Sequence, residues 1–322
     1  MKRPRILSGV QPSGKLHLGN YFGAIRQHIA LQDEGECFFF IADLHALTTI
    51  QDAALLRENA RAVALDYLAL GLDPEKTVFF RQSDVPEVTE LAWILSTVTG
   101  MGLLERAHSY KDKLQRGITA SVGLFTYPIL MAADILIYKS NLVPVGQDQV
   151  QHIEMTRDMA GYFNQTYRDV FPLPEARLDL SPVVPGTDGK KMSKSYGNTI
   201  EIFAEGKTLS GNVMRIVTDS TPVEAPKDPD KDNVFALYAL FATEEEKAAL
   251  AARYRTGGMG YGDAKRLLVG KIDAAFGPAR EKRRHLAADS KIVDGVLARG
   301  ADRARAVAGE TLREVREATG LR

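Results

Sequence analysis

The chain has 322 residues, 45% of them hydrophobic, with 41 lysines and arginines set against 41 aspartates and glutamates, which allows two ordinary domains and leaves any polyanionic partner to be met by local patches. A single cysteine, Cys37, excludes an intrachain disulfide and a four-cysteine metal site. The N-terminal MKRPRILSG has too short an apolar stretch for a signal peptide, and the most apolar segment, 122–138, is broken by Pro128 and Asp134, so a cytoplasmic enzyme with no membrane association is the expectation.

In chain order, Arg5–Val10 reads as a buried strand running into a turn, GVQPSGKLHLGN over 9–20. Gly14 there lets backbone approach a ligand, Gly19 keeps one face of the first helical turn open, and His17 and Asn20 lie one turn apart at a helix N-terminus, where unpaired N–H groups favour anions. Asn20–Gln32 has helical spacing, with Gly35 as its expected C-cap. Glu36–Ala42 is a continuous apolar run, the pattern of a parallel strand covered on both faces, and Asp43, Leu44 and His45 fall at its carboxyl end, where open α/β sheets place ligand contacts. Asp52 caps a helix to Leu70, closed by Gly71. Thr77–Arg81 is a third strand, and Ser83 with Glu87 bounds a helix containing Trp93. The basic stretch Arg106, Lys111, Lys113 and Arg116 has two readings, a solvated helix face or a phosphate-binding loop. Over 126–137, Tyr127, Met131 and Asp134 share one helix face; an acidic side chain on so apolar a face needs a partner. Asn141–Val145 is a strand, followed at its carboxyl end by Gly146, Gln147, Asp148 and Gln149 and a helix. The Pro-punctuated 171–180 reads as loop. KKMSKS, 190–195, sits in a polar loop. Beyond it helical periodicity dominates, with expected stops at Gly257-Gly258, Gly277-Pro278 and Gly300, a basic cluster at 280–284, and a last helix carrying Ala304, Val307, Ala308, Leu312 and Val315 at core spacing.

The two outlying motifs, His17-Leu18-Gly19-Asn20 and KKMSKS, together resemble the paired signatures of class I aminoacyl-tRNA synthetases, and the form QPSGKLHLGN looks like the tryptophanyl branch. The resemblance covers essentially the whole chain. It implies an α/β, Rossmann-like parallel-sheet catalytic domain over 1–195, with a connecting insertion at about 84–120 and the lysine loop at 190–195. A C-terminal all-helical, anticodon-side domain would span 196–322, its last helix packing back on the catalytic domain. The activity implied is adenylation of L-tryptophan by ATP, with Mg²⁺ held by the phosphates, then transfer to tRNA(Trp), in a homodimer.

By the same resemblance, Lys191, Lys194, His17, Lys111 and Lys113 handle phosphate charge. Gln11, Pro12, Ser13, Gly19, Asn20, Gly146, Gln147, Asp148, Met192, Ser193 and Ser195 form the nucleotide site, with Val183 as a backbone contact to adenine. Tyr127 and Gln149 match positions that bind the substrate amino group, Asp134 the acceptor of the indole N–H, and Met131, Val143 and Val145 the pocket walls. Leu7 departs from the pattern, standing where many relatives have Phe. The alternatives are a tyrosyl-tRNA synthetase, which needs groups that bond a phenol hydroxyl, a small nucleotidylyltransferase, which needs no KMSKS, and a non-catalytic paralogue that binds tryptophan or tRNA.

Overall fold

The computed structural model describes residues 3–107, 121–178 and 183–321; Lys111 and Lys113 lie outside them. Five strands, β1 (Arg5–Val10), β2 (Glu36–Ile41), β3 (Thr77–Arg81), β4 (Leu142–Val145) and β5 (Glu175–Leu178), form one parallel sheet in the order β3-β2-β1-β4-β5. Successive side chains go to opposite faces of a strand, and here both faces are apolar. Ile6, Phe39 and Phe79 enter one core cluster, Leu7, Phe38, Phe40, Val78 and Phe80 the other. The sheet is therefore covered on both sides. Cys37 is buried, and burial pushes its thiol up to about 12.

The first crossover contains α1 (Leu18–Asn20), a π-helical turn at Tyr21–Ile25 and α2 (Arg26–Leu31). It ends on Gln32 rather than Gly35. Gly35 is needed for a different reason: a Cβ there would stand 2.5 Å from the Pro4 carbonyl oxygen. After β2 come α3 (Asp43–Ala46) and α4 (Ala53–Leu70), the latter capped by Asp52, which accepts from the Ala54 and Leu55 N–H groups, and closed by Gly71 at φ 116°. Next is α5 (Glu87–Val98), which starts behind Pro86 with no side-chain cap; Ser83 instead bonds Asp43. Then follow α6 (Met101–Glu105), α7 (Val122–Ile137) and α8 (Val150–Thr166).

Residues 171–180, expected as loop, include β5, which pairs with β4 from Leu142↔Glu175 to Val145↔Leu178. Its exposed and half-exposed side chains are those of an edge strand, so the buried-strand pattern is missing. The helical region comprises α9 (Gly206–Met214), α10 (Asn233–Ala239), α11 (Glu244–Thr256), α12 (Tyr261–Ala288) and α13 (Ser290–Thr319). Two expected stops are absent. Gly277-Pro278 lies within α12, where Ile272 and Phe276 before the proline and Arg280 after it are all buried. Tertiary packing on both sides outweighs one lost backbone bond. Gly300 lies within α13, where a Cβ would stand 1.8 Å from the Phe79 carbonyl oxygen: the glycine marks a close crossing of helix over strand. The 280–284 cluster is largely spent internally. Arg280 is buried and pairs with Asp273, Arg283 pairs with buried Asp66 of α4, and Arg284 pairs with Glu205. No helix among the described residues is long and apolar enough to cross a membrane.

Candidate active site

β1 pairs with β2 on one side and β4 on the other, so the connections diverge at its carboxyl end, where open α/β sheets form a crevice. A cavity of about 700 Å³ opens there. Leu7, Tyr127, Met131, Asp134, Val143, Val145 and Gln149 all line it, as do Gln11, Ser13 and Asn20. β1 and β4 supply Leu7, Val143 and Val145 as its floor, and α7 presents Tyr127, Met131 and Asp134 from the face that helical spacing gives them.

Asp134 is 2% exposed. Its Oδ2 accepts from His45 Nε2 at 3.0 Å, and both its oxygens accept from Gln82 Nε2 at 2.9 Å. Burial raises its pKa, while the bonds from His45 and Gln82 pull the other way. Gln82 lies just past the carboxyl end of β3. Sequence reasoning missed it, although the strand-end rule that picks out His45 after β2 applies equally to β3. Tyr127 Oη lies 2.6 Å from His152 Nε2, on α8, and both border the cavity. Ser8 and Tyr67, two further cavity residues that the sequence did not suggest, are joined through His28: Ser8 Oγ is 3.0 Å from His28 Nε2, and Tyr67 Oη 3.2 Å from Nδ1.

At the other end, the lysine loop folds onto the 9–20 turn. Leu18 N–H donates to the Ile200 carbonyl and Ile202 N–H to the Leu16 carbonyl. Lys194 Nζ donates to the Ser13 carbonyl at 3.1 Å and to Ser13 Oγ at 3.3 Å. Partial burial lowers its pKa. Met192 is buried, while Lys191 and Ser195 are exposed and Ser193 half-buried. Asn198 holds the bend, accepting the Ser193 N–H and donating to Asp188. Val183 is 71% exposed beside a hairpin in which the Val184 carbonyl accepts the Met192 N–H.

His17 is not in the cavity wall. Its ring is 6% exposed, and a Cβ on Gly19 would come within 3.0 Å of it and 3.4 Å of Met192 Cβ. Gly19 thus gives room to the His17 ring and the lysine loop. Asn20 Oδ1 accepts the His17 N–H at 3.1 Å, so its amide group is partly used in capping. Burial, with Lys194 adding to it, lowers His17 to about 4 and keeps the ring neutral. Pro12 is buried; Gly146 and Gln147 follow β4, and position 148 belongs to the short turn Gln147–Gln149 leading into α8. No group of three or more His, Cys, Asp or Glu among the described residues is placed to hold a metal ion.

Such a site has an apolar slot with one buried carboxylate at one end and Lys194 over the 9–20 turn at the other. The family model described as class I tRNA synthetases (W and Y) matches residues 1–277. The tryptophan–tRNA ligase of Rhodopirellula baltica is 56% identical over 319 residues, 99% of this chain and 100% of that one. That of Fusobacterium nucleatum is 54% identical, over 98% of each. A crystal structure of tryptophanyl-tRNA synthetase from Campylobacter jejuni, complexed with ADP and tryptophan, superposes with a TM-score of 0.95 at 50% identity, over 98% of this chain and 100% of that one. With its slot, its lysine loop and this agreement along the full length, the chain belongs to the class I tRNA synthetases for tryptophan and tyrosine, in their bacterial tryptophanyl branch.

Proposed function

We propose that the chain activates L-tryptophan with ATP and transfers it to the 3′ end of tRNA(Trp). The observation that carries this reading is Asp134: a buried acceptor in a cavity that Leu7, Met131, Val143 and Val145 also line suits a wide apolar ring with one N–H donor. In the first step a tryptophan carboxylate oxygen bonds to the α-phosphorus as the bond to the β-phosphate oxygen breaks, giving tryptophanyl-adenylate and pyrophosphate. The nucleophile is already ionised, so the protein's part is positioning and charge neutralisation. Tyr127 and Gln149 take the substrate ammonium, Tyr127 being held beside His152. Gln11, Ser13, Asn20 and the turn at 146–148 hold the nucleotide, with Val183 offering backbone to adenine. Lys191 and Lys194, from a loop containing Met192, Ser193 and Ser195, draw charge from the leaving pyrophosphate, and neutral His17 supports the turn beneath it. Lys111 and Lys113 join them by resemblance alone. Mg²⁺ would be carried in on phosphate oxygens and water, as it usually is in nucleotide sites.

The helical half, from about 196, serves the anticodon side of the tRNA, and the chain works as a homodimer. Pyrophosphate–ATP exchange with tryptophan, tyrosine and phenylalanine separately tests the assignment. Tryptophan should support exchange at least about a hundredfold better than either, and equal exchange with tyrosine overturns it.

A further inference from the structure

Gln82 is 1% exposed and stands behind the cavity rather than in its wall. Its Oε1 accepts the N–H groups of Leu44 at 3.1 Å and His45 at 3.3 Å, at the first turn of α3. Helix-start N–H groups have no partner within the helix, so the oxygen end of the amide is fixed there and the nitrogen end must face Asp134. A flipped amide would set donor against donors and oxygen against carboxylate. Asp134 Oδ2 then accepts from Gln82 and His45, while Oδ1 accepts from Gln82 alone. A carboxylate oxygen has two lone pairs, so Oδ1 is the one with capacity left.

We infer that Gln82 is the positioning residue of this pocket, holding Asp134 with Oδ1 turned to accept the indole N–H, and so setting selectivity for tryptophan without touching it. This rests on the reading of Asp134 given above. Gln82 does what no charged residue could do in its place: it donates to the carboxylate while accepting from the helix, and adds no charge.

The test compares tryptophan with its analogue carrying sulfur in place of the ring nitrogen, by KM in pyrophosphate exchange between pH 6 and 8.5. Native protein should prefer tryptophan by about a hundredfold, and Asp134→Ala by only a few-fold. Gln82→Met should raise the KM for tryptophan and cut the preference, each by about tenfold, at every pH, with the KM for ATP little changed. Gln82→Glu gives the sharper signature. The introduced carboxyl can still accept from Leu44 and His45 but has no N–H, and of two carboxyls a hydrogen bond apart one holds its proton to a much higher pH. While the pair shares a proton, its hydroxyl donates to Asp134 and the clamp is restored; as pH rises and the proton leaves, preference for tryptophan falls. His45 and Asp43 from α3, and Tyr138 at the end of α7, face the pair in both proteins, so the difference between the two pH profiles isolates position 82. If Asp134→Ala keeps the native preference, the reading of Asp134 fails and the inference with it. If Asp134→Ala loses the preference while Gln82→Met keeps it, Gln82 alone is overturned. A Gln82→Glu profile parallel to the native one overturns it too, and decides alone if Gln82→Met does not fold.

Discussion

His17 carries a cost that reaches beyond the site. Its ring is neutral when folded because burial holds it at about 4, against 6.5 for the free side chain. Between those values the unfolded chain binds a proton that the folded chain refuses. Stability is therefore intact above pH 6.5, falls as the pH drops, and levels off near 4; the full shift corresponds to about 3 kcal/mol. His17→Gln should flatten this part of the stability profile, read as midpoint of urea unfolding at pH 7 and pH 4.5. Equal losses in both proteins would place the acid sensitivity elsewhere. Asp134 shows a second residue-scale effect. A ligand lacking the indole N–H does not leave this carboxylate bare, because His45 and Gln82 still bond it. Discrimination should therefore be near the hundredfold of one charge-assisted hydrogen bond, not the 10⁴-fold or more of an unpaired buried group. Asp134→Ala should cost tryptophan about that hundredfold in kcat/KM and ATP much less; a loss confined to ATP would show that the residue does not read the ring.

The lysine loop is a distinct element, braced by Asn198 and set on the 9–20 turn through Lys194 and Ser13. If Lys194 meets the charge that develops on the leaving group, as proposed above, Lys194→Ala should slow adenylate formation by about 3 kcal/mol in barrier while tryptophan binding changes little. Single-turnover rates with ATP, set beside equilibrium tryptophan binding, separate the two; an unchanged rate sinks the role. Elements also mark how far the sequence could be read. β1 to β4 were legible because each is a short apolar run buried on both faces, and α4 because Asp52 and Gly71 punctuate it. β5 was not, since an edge strand with half-exposed Glu175–Leu178 has no apolar signature. Gly277-Pro278 and Gly300 were misread because local propensity says stop where packing decides otherwise. The π turn at Tyr21–Ile25 follows no spacing rule, but Tyr21 and Phe22 pack edge-on against Phe276 and Phe241, contacts between segments far apart in sequence. In the site, Tyr127, Met131 and Asp134 followed helical spacing, whereas the partners of Asp134 did not, because Gln82 and His45 come from two other strand ends.

Across the whole molecule, the net charge of zero gives no net attraction for a polyanion and leaves that to local patches, and the arginines at 280, 283 and 284 are paired with carboxylates of the same chain. Among the described residues Trp93 is a large aromatic left 72% exposed, on α5. An indole so placed suits burial against a second copy, through the segment 87–104. Light scattering should give twice the chain mass at micromolar concentration, and Trp93→Glu should shift the mass toward one chain; a monomeric native protein removes this reading. The close crossing at Gly300 has a further consequence, for the order in which the molecule is made. Ala301, Ala304, Ala308 and Leu312 of α13 share a core with Val78 and Phe80 of β3, yet α13 is translated long after that strand. During synthesis this part of the sheet, at β3, must wait uncovered, its apolar surface open to chaperones or to misassembly, until α13 is made and closes it.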